Sequence, residues 1–391
     1  MQLSQRITGL NGGGPDGWEV FLRARKMIAE GRSVTELTIG EHDIRTHPSI
    51  LDAMDEAARA GHTGYAMVPG NDQLRDRVAA RITERTGVRT TRDNVLITPG
   101  GQSALFVAHH AVCDEGDIAL YIDPYYATYP GTLRAVGAIP RAVPTLARHA
   151  FQPQKEPLAE ASKGATSLLI NSPNNPTGAV YSRETLASIA EVCRKEDLWL
   201  ISDEVYDTQI WSGSHVSPRT LPEMKERTIV VGSMSKSHAM TGSRCGWVVA
   251  PEEAIWPMID LATSTTYGVP GFIQLAADYA LEQGRALEDE IATPFRRRRD
   301  LAQDVLGSQN TVGMIPSEGA MYLMLDIRAT GLDGKAFADR LLDEHAIAVM
   351  PGESFGMSAA GHIRVAMTVE DSAFKAALTT LCTFANDLAN T

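Results

Sequence analysis

The sequence predicts an α/β fold in which a mostly parallel sheet lies between helices, followed by a smaller α+β domain. Three observations lead to this prediction. Short apolar runs of strand length recur at 95–97, 119–122, 167–170, 198–201, 228–231 and 247–249. Segments with helical spacing separate several of these runs, and the character of the chain changes near Gly284. Strands that are apolar on both faces and alternate with helices are typical of a parallel sheet covered on both sides.

Two helices illustrate the pattern between and after the strands. In the segment 182–195, apolar residues from Leu186 to Cys193 fall on one helical face. The segment 285–310 predicts one long polar helix, and it contains four consecutive arginines at 296–299. Because carboxylates surround these arginines in the sequence, we expect a solvated helix face and not a nucleic-acid site.

The last part of the chain predicts the smaller domain. Two further strand-like runs, 321–325 and 363–367, follow the long polar helix. We therefore expect an N-terminal segment at 1–40 that forms part of the small domain, a large α/β domain at 41–284, and a C-terminal small α+β domain at 285–391.

The charge and the hydropathy of the chain argue against some classes of binding partner. The 391 residues include 36 Lys and Arg against 48 Asp and Glu, which gives a formal net charge of −12. Such an acidic chain is not expected to bind nucleic acid or an anionic membrane. No uncharged apolar run reaches the ~18 residues of a transmembrane helix, and no apolar signal core is expected at the start.

Cysteine and histidine spacing predicts neither a disulfide scaffold nor a metal site. The four cysteines are far apart and form no CxxC motif, which fits a reducing cytosol and predicts a cytoplasmic protein. The adjacent His109 and His110 lack the clustered spacing of metal ligands.

Two loops at the ends of predicted strands favour ligand binding. Residues 98–106 begin Thr-Pro-Gly-Gly and open a helix, where backbone N–H groups can approach an anion. Residues 171–178 read Asn-Ser-Pro-Asn-Asn-Pro-Thr-Gly and follow a buried strand. Each loop can also be explained as a turn, but the density of amide side chains in the second is unusual for a connector.

Two further strand ends carry charged groups. Asp203 follows a buried strand, so we expect a cation or a strong hydrogen-bond donor beside it, although a helix N-cap is the simpler alternative. The segment 232–246 contains serines, Lys236 and Arg244. The segment is either a solvated loop or part of a cofactor site. In the second case, Lys236 would bond covalently to a carbonyl cofactor and the neighbouring groups would hold a phosphate.

In order, these four motifs suit pyridoxal phosphate, and over roughly residues 35–370 the chain resembles the class I/II aminotransferases of the aspartate aminotransferase fold type. Asn174-Asn-Pro-Thr-Gly178, Ser233-x-x-Lys236 and Arg244 carry the resemblance. It implies the type I fold of pyridoxal-phosphate-dependent transferases, with a seven-stranded, mostly parallel sheet. It also implies pyridoxal 5'-phosphate as cofactor and a homodimer with shared active sites.

The resemblance assigns a role to each matching residue. Lys236 would bind the cofactor covalently and move the substrate proton, and Asp203 would pair with the pyridine nitrogen. Tyr206 and Asn175 would hydrogen-bond the phenolic oxygen of the ring, on which Tyr126 would stack. The implied phosphate ligands are Gly101, Gln102, Ser233, Ser235, Arg244 and, from the neighbouring subunit, Tyr65. The implied substrate ligands are Gly40, Tyr126, Asn175 and Arg364.

The predicted activity is transfer of an amino group between an L-α-amino acid and a 2-oxo acid. Another reaction on the same scaffold, by a carbon–sulfur lyase or a synthase, is the alternative. A ligand-sensing regulator would need an attached DNA-binding segment, and only about 35 residues precede the match. Gln102 stands where the family often has a small hydroxyl or a lysine, and no second arginine can be placed for a distal carboxylate. The substrate side chain is therefore left open.

Overall fold

The computed structural model describes residues 1–12 and 17–390. The strands in chain order are β1 (Thr35–Glu36), β2 (Val95–Thr98), β3 (Ile118–Asp123), β4 (Ile139–Pro144), β5 (Ala165–Asn171), β6 (Trp199–Asp203), β7 (Thr228–Ser233), β8 (Gly246–Val249), β9 (Gly313–Met314), β10 (Tyr322–Asp326), β11 (Ile347–Ala348), β12 (Met350–Pro351) and β13 (His362–Ala366). The α-helices are α1 (Gln5–Thr8), α2 (Glu19–Ala29), α3 (Pro48–Arg59), α4 (Asp72–Thr86), α5 (Gly100–Val112), α6 (Tyr129–Ala135), α7 (Lys155–Ala161), α8 (Arg183–Lys195), α9 (Met234–Ser237), α10 (Glu252–Ser264), α11 (Gly271–Glu282), α12 (Arg285–Leu306), α13 (Gly334–His345) and α14 (Asp371–Ala389).

A seven-stranded sheet in the order β2-β8-β7-β6-β5-β3-β4 forms the centre of the larger part. Only β8 runs antiparallel to its neighbours, and the other pairs are parallel. Helix α5 packs on β7 and β8, whereas Leu186 and Ile189 of α8 pack with Leu168 and Ile170 of β5 in another apolar core. The prediction of a mostly parallel sheet between helices is confirmed.

The edge strand β4 is the one member of this sheet that has no apolar run in the sequence. It reads Ile-Pro-Arg-Ala-Val-Pro, and its first residue, Ile139, is exposed. An edge strand hydrogen-bonds on one side only, so Pro140 and Pro144 are tolerated there. The edge position therefore explains why periodicity did not indicate this strand.

The smaller part contains the two strands predicted at 321–325 and 363–367, and the structure pairs them antiparallel as β10 and β13. Its sheet has the order β12-β13-β10-β9, and all three pairings are antiparallel. The long helix α12 packs against α14, and β1 near the N-terminus pairs in parallel with β11. This pairing brings the segment before Gly40 against the C-terminal part of the chain.

The expectation of a fully solvated arginine face on α12 is wrong for one arginine. Arg298 is buried, and its guanidinium donates hydrogen bonds to Asp43 at 2.6 and 2.8 Å and to Asp371 at 3.0 Å. These carboxylates come from distant segments, so the local sequence could not reveal them. Across residues 1–12 and 17–390, no helix combines the length and apolar character required to cross a membrane.

Candidate active site

The carboxyl ends of β2, β5, β6 and β7 meet at one edge of the large sheet, and the loops that follow them line a cavity of about 390 Å³. Parallel strands place ligands at this edge. The cavity wall contains most of the residues predicted from the sequence, namely Gly40, Gly101, Gln102, Tyr126, Asn175, Asp203, Tyr206, Ser233, Ser235, Lys236, Arg244 and Arg364. Tyr65 is the exception.

Lys236 lies on the short helix α9 directly after β7, and its half-buried side chain lines the cavity. Its Nζ donates a hydrogen bond to the carbonyl oxygen of Gly40. Burial lowers the pKa of this ammonium to about 8, and the carboxylate of Glu41 opposes the shift while Arg364 and Arg244 add to it. A substantial fraction of the amine is therefore neutral in mildly alkaline solution, as a nucleophile or a base requires.

The backbone of Lys236 is held from the opposite side by two side chains. The Nε2 of His42 lies 3.0 Å from the Lys236 carbonyl oxygen, and the Nε2 of Gln209 donates to the same oxygen at 3.2 Å. Burial lowers the pKa of His42 to about 3, so its ring is neutral. Because a carbonyl oxygen only accepts, Nε2 must carry the proton of this imidazole.

Asp203 is buried at the end of β6. The hydroxyl of Tyr129 donates to its Oδ2 at 2.8 Å, and the backbone N–H of Val205 donates to Oδ1 at 3.3 Å. Burial raises the pKa of this carboxyl to about 6, although both hydrogen bonds act in the opposite direction. The expected strong donor is thus present as a phenol. No lysine, arginine or histidine in the described part of the chain forms an ion pair with this carboxylate.

Arg364 of β13 reaches the cavity from the smaller part of the chain. One of its terminal nitrogens donates to Oδ1 of Asn175 at 2.8 Å, and the other donates to the carbonyl oxygen of Thr38. The guanidinium carbon lies 4.4 Å from the ring centre of Tyr322 and 4.2 Å from that of Phe355. Each terminal nitrogen keeps a second N–H that has no acceptor among the described residues, so the site offers donors to an anionic ligand.

The opposite end of the cavity is suited to an anion. Helix α5 begins there, Ser233 and Ser235 join their hydroxyls at 2.9 Å, and the guanidinium of Arg244 donates to the carbonyl oxygen of Thr241 at 2.7 Å. A side chain at Gly100, where φ is +78°, would overlap the Arg244 guanidinium. Glycine at that position therefore permits the close approach of Arg244 to the first turn of α5.

The backbone of Gln102 lies on α5 at the anion-binding end of the cavity, whereas its side chain bonds to other residues. Its Nε2 donates to Thr132 Oγ1 at 2.7 Å, and Thr128 Oγ1 donates to its Oε1 at 2.9 Å. Both partners lie at α6. The amide is thus fixed by two threonines, and the backbone at Gln102 remains the group available to an anion.

Several lining residues were not predicted from the sequence. Tyr129 donates to Asp203, and Tyr322 lies 3.0 Å, hydroxyl to hydroxyl, from Tyr206. Trp18 and Phe21 enter from the start of α2, with their ring centres 5.9 Å apart. None of these aromatic residues belongs to a polar motif. The one feature of the sequence that could have indicated such a residue is the position of Tyr129, three residues after Tyr126.

Tyr65 lies outside the cavity of its own chain. Its side chain is 94% exposed, and its ring centre packs 5.2 Å from that of Tyr267, which is also exposed. The structure therefore does not bring Tyr65 together with the other predicted site residues within one chain.

Comparison with known proteins adds a family to this geometry. Residues 32–381 match the family model described as aminotransferase class I and II. The arginine–pyruvate transaminase of Pseudomonas aeruginosa is 40% identical over 368 residues, which cover 94% of this chain and 93% of the relative. The aspartate/prephenate aminotransferase of Thermus thermophilus is 34% identical and covers 92% and 93% of the two chains. A solved structure of Thermus thermophilus aspartate aminotransferase with maleate superposes with a TM-score of 0.91 at 31% identity, covering 97% of this chain and 100% of the other.

Proposed function

Because this chain belongs to the class I and II aminotransferases, we propose that it transfers amino groups with pyridoxal 5'-phosphate held in the cavity described above. The enzyme transfers an amino group between an amino acid and a 2-oxo acid, the activity for which its relatives are named. The alternative of a carbon–sulfur lyase or a synthase gains no support from these relatives. The observation that carries the cofactor proposal is that the half-buried Lys236, the buried Asp203 and the anion-binding end line one cavity.

The donors and acceptors of the cavity fit this cofactor. Asp203 is a buried carboxylate with a phenol and an amide as neighbours, and a protonated pyridine nitrogen would supply its missing cationic partner. Asn175 and Tyr206 would hold the phenolic oxygen of the ring, and Tyr126 would stack on its face. When bound, pyridoxal phosphate supplies an electron sink that stabilises negative charge at the substrate α-carbon.

The phosphate group fits the opposite end. The backbone N–H groups of Gly101 and Gln102, in the first turn of α5, would donate to its oxygens, and the helix dipole favours a negative charge there. The hydroxyls of Ser233 and Ser235 would add two donors, and Arg244 would supply a full positive charge with planar geometry.

Lys236 and Arg364 would act on the substrate. Neutral Lys236 would remove the proton from the substrate α-carbon through Nζ and deliver it in the reverse direction, which the pKa of about 8 allows. Arg364 would grip the α-carboxylate with its free N–H groups, while the main chain of Gly40 and the side chains of Asn175 and Tyr126 would border the substrate.

We further propose that the amino donor has an uncharged or cationic side chain, with arginine the first candidate and pyruvate the acceptor. Among the described lining residues the cations are Lys236, Arg244 and Arg364, each of which already has a role. The lining also contains the aromatic Trp18 and the carboxylate Glu41. A dicarboxylic substrate would need a further cation. The arginine–pyruvate transaminase that is 40% identical supports the same choice.

This substrate proposal is tested with a panel of amino acids, each paired with pyruvate or 2-oxoglutarate. We expect kcat/KM for arginine to exceed that for aspartate by roughly 30-fold or more, because an unpaired charge in the site costs at least ~2 kcal/mol. In Glu41→Gln, the ratio of arginine to leucine activity should fall, whereas a general effect on Lys236 would lower both equally. A preference for aspartate would overturn the substrate class and leave amino-group transfer intact.

We also propose that the active unit is a homodimer in which Tyr65 of each chain completes the phosphate site of the other. The exposed, mutually packed rings of Tyr65 and Tyr267 support this proposal, since aromatic side chains are enriched at interfaces. Without a partner chain, both rings would remain largely in water.

A mixing experiment tests the shared site. One chain carries Lys236→Ala, and the other carries Tyr65→Ala with Tyr267→Ala. In a heterodimer, the second chain keeps its own lysine and receives intact tyrosines, so activity should reappear on mixing. Each parent alone should be weakly active. A verified heterodimer that stays as inactive as its parents, or a fully active monomer in sedimentation, would contradict the proposal.

The domain limits and the compartment are proposals of the same kind. Residues 41–284 would form the large domain, because the seven-stranded sheet lies between Val95 and Val249. The segment 1–40 would join residues 285–391 in the small domain, as the pairing of β1 with β11 supports. The four cysteines are buried free thiols, which suits a protein of the reducing cytoplasm.

A further inference from the structure

The contact between Tyr129 and Asp203 is the shortest hydrogen bond to the carboxylate at the centre of the cavity. Tyr129 is the first residue of α6, and its ring is 3% exposed. Its hydroxyl donates to Asp203 Oδ2 at 2.8 Å, and Tyr126 packs edge-on against its ring with the two centres 5.7 Å apart. Tyr126 thus packs against the ring, and the hydroxyl points at one oxygen of the carboxylate.

The surroundings make this hydrogen bond the main fixed support of the Asp203 side chain. The other donor to this carboxylate among the described residues, the Val205 N–H, is 3.3 Å away and lies only two residues further along the chain. The adjacent Glu204 is a further carboxylate and raises the pKa of Asp203, as does burial. A hydrogen bond from a phenol stabilises the charged form, because only a carboxylate oxygen with free lone pairs accepts it well.

We propose that Tyr129 is a positioning residue, whose hydroxyl keeps Asp203 oriented and ionised so that the proton shared with the cofactor stays on the ring nitrogen. The proposal rests on the proposed function, since it requires pyridoxal phosphate in the cavity. Each oxygen of Asp203 retains a lone pair for the ring nitrogen after it accepts from Tyr129 or Val205. Loss of the phenol would make Asp203 more basic, so the carboxylate would take the shared proton from the ring nitrogen.

The proton is observed directly by nitrogen-15 NMR of the holoenzyme reconstituted with cofactor labelled at the ring nitrogen. In Tyr129→Phe, we expect the signal to move from the pyridinium position toward that of neutral pyridine, with the cofactor still bound. We expect kcat to fall roughly tenfold, the effect of one hydrogen bond to a charged group, with KM little changed. Tyr181→Phe is the matched control, because Tyr181 is a buried tyrosine in another apolar core and its signal should match the wild type.

Two further proteins separate the possible outcomes. Asp203→Asn removes the carboxylate and should give the neutral pyridine signal. If Asp203→Asn shifts the signal and Tyr129→Phe does not, the role of Tyr129 is overturned and the proposed function stands. If neither variant differs from wild type, the cofactor assignment itself fails. Incorporation of 3,5-difluorotyrosine at position 129 keeps the fold and strengthens the donor, so the signal should remain at the pyridinium position. A shift toward neutral pyridine in that protein would also overturn the proposal.

Discussion

Replacement of Lys236 by alanine is expected to lower the rate of amino-group transfer by roughly a thousandfold or more. General acid–base catalysis alone contributes about 10²–10⁴-fold, and this variant would also lose the proposed covalent link to the cofactor. Lys236 is the only lysine among the described residues that line the cavity, so no neighbouring amine there can replace it. The rate is measured with the best substrate of the amino-acid panel.

Two variants make this result specific to the amine. Lys236→Arg keeps a positive charge but cannot act as a neutral amine, so it should be as inactive as the alanine variant. Lys335→Ala removes an exposed lysine that pairs with Glu19 and Asp339, and it should behave like the wild type. After borohydride treatment, mass spectrometry should find the cofactor attached to Lys236 in the wild type and to no residue in either Lys236 variant. Near-normal turnover by Lys236→Ala would refute the assignment.

Replacement of Arg364 by lysine is expected to lower kcat/KM for amino acids by about 2–4 kcal/mol, or roughly 30- to 1000-fold. The guanidinium already binds Asn175 and Thr38, and each of its terminal nitrogens keeps a second N–H for the substrate. A lysine ammonium is a single point of charge and cannot keep both protein contacts while it pairs with a carboxylate.

The comparison of an amino acid with its decarboxylated amine separates recognition from folding. In Arg364→Lys, activity toward the amine should fall much less than activity toward the amino acid. Arg219→Lys is the matched control, because Arg219 is equally buried but bonds to Thr90 outside the cavity. It should change stability and leave the ratio of the two substrates unaltered. Equal losses for the acid and the amine in Arg364→Lys would assign this residue to the fold.

Much of the large sheet was predictable because its inner strands are buried on both faces. Strands such as β5 and β7 contain continuous apolar runs, because residues that are buried on both faces of the sheet are mostly apolar. These runs can be recognised in the sequence. The edge strand β4 and the two-residue strand β1 had no such signal, since their pairing depends on neighbours far away in the chain.

The residues of the candidate site were likewise predictable only where a strand pattern marked their position. Asp203 and Lys236 were found because each follows a buried strand, and the ends of parallel strands must meet at one edge. Tyr129 and Tyr322 were missed because a buried aromatic residue resembles core, and only the folded chain shows which partner its hydroxyl finds. The full environment of Arg364 was equally unpredictable from the sequence, because its acceptor, the Thr38 carbonyl, lies 326 positions earlier.

That separation along the chain sets an order of assembly. The seven-stranded sheet ends at Val249, so its hydrogen bonds can all form while the final third of the polypeptide is still being synthesised. The Arg364–Thr38 contact and the β1–β11 pairing need both ends of the chain and close a very long loop, which is kinetically slow. A nascent chain at that stage already contains Lys236 and the anion-binding end of the cavity but not Arg364, the proposed ligand of the substrate carboxylate. Under the proposed role of Arg364, selection of the amino acid is therefore the last property that this polypeptide acquires as it matures.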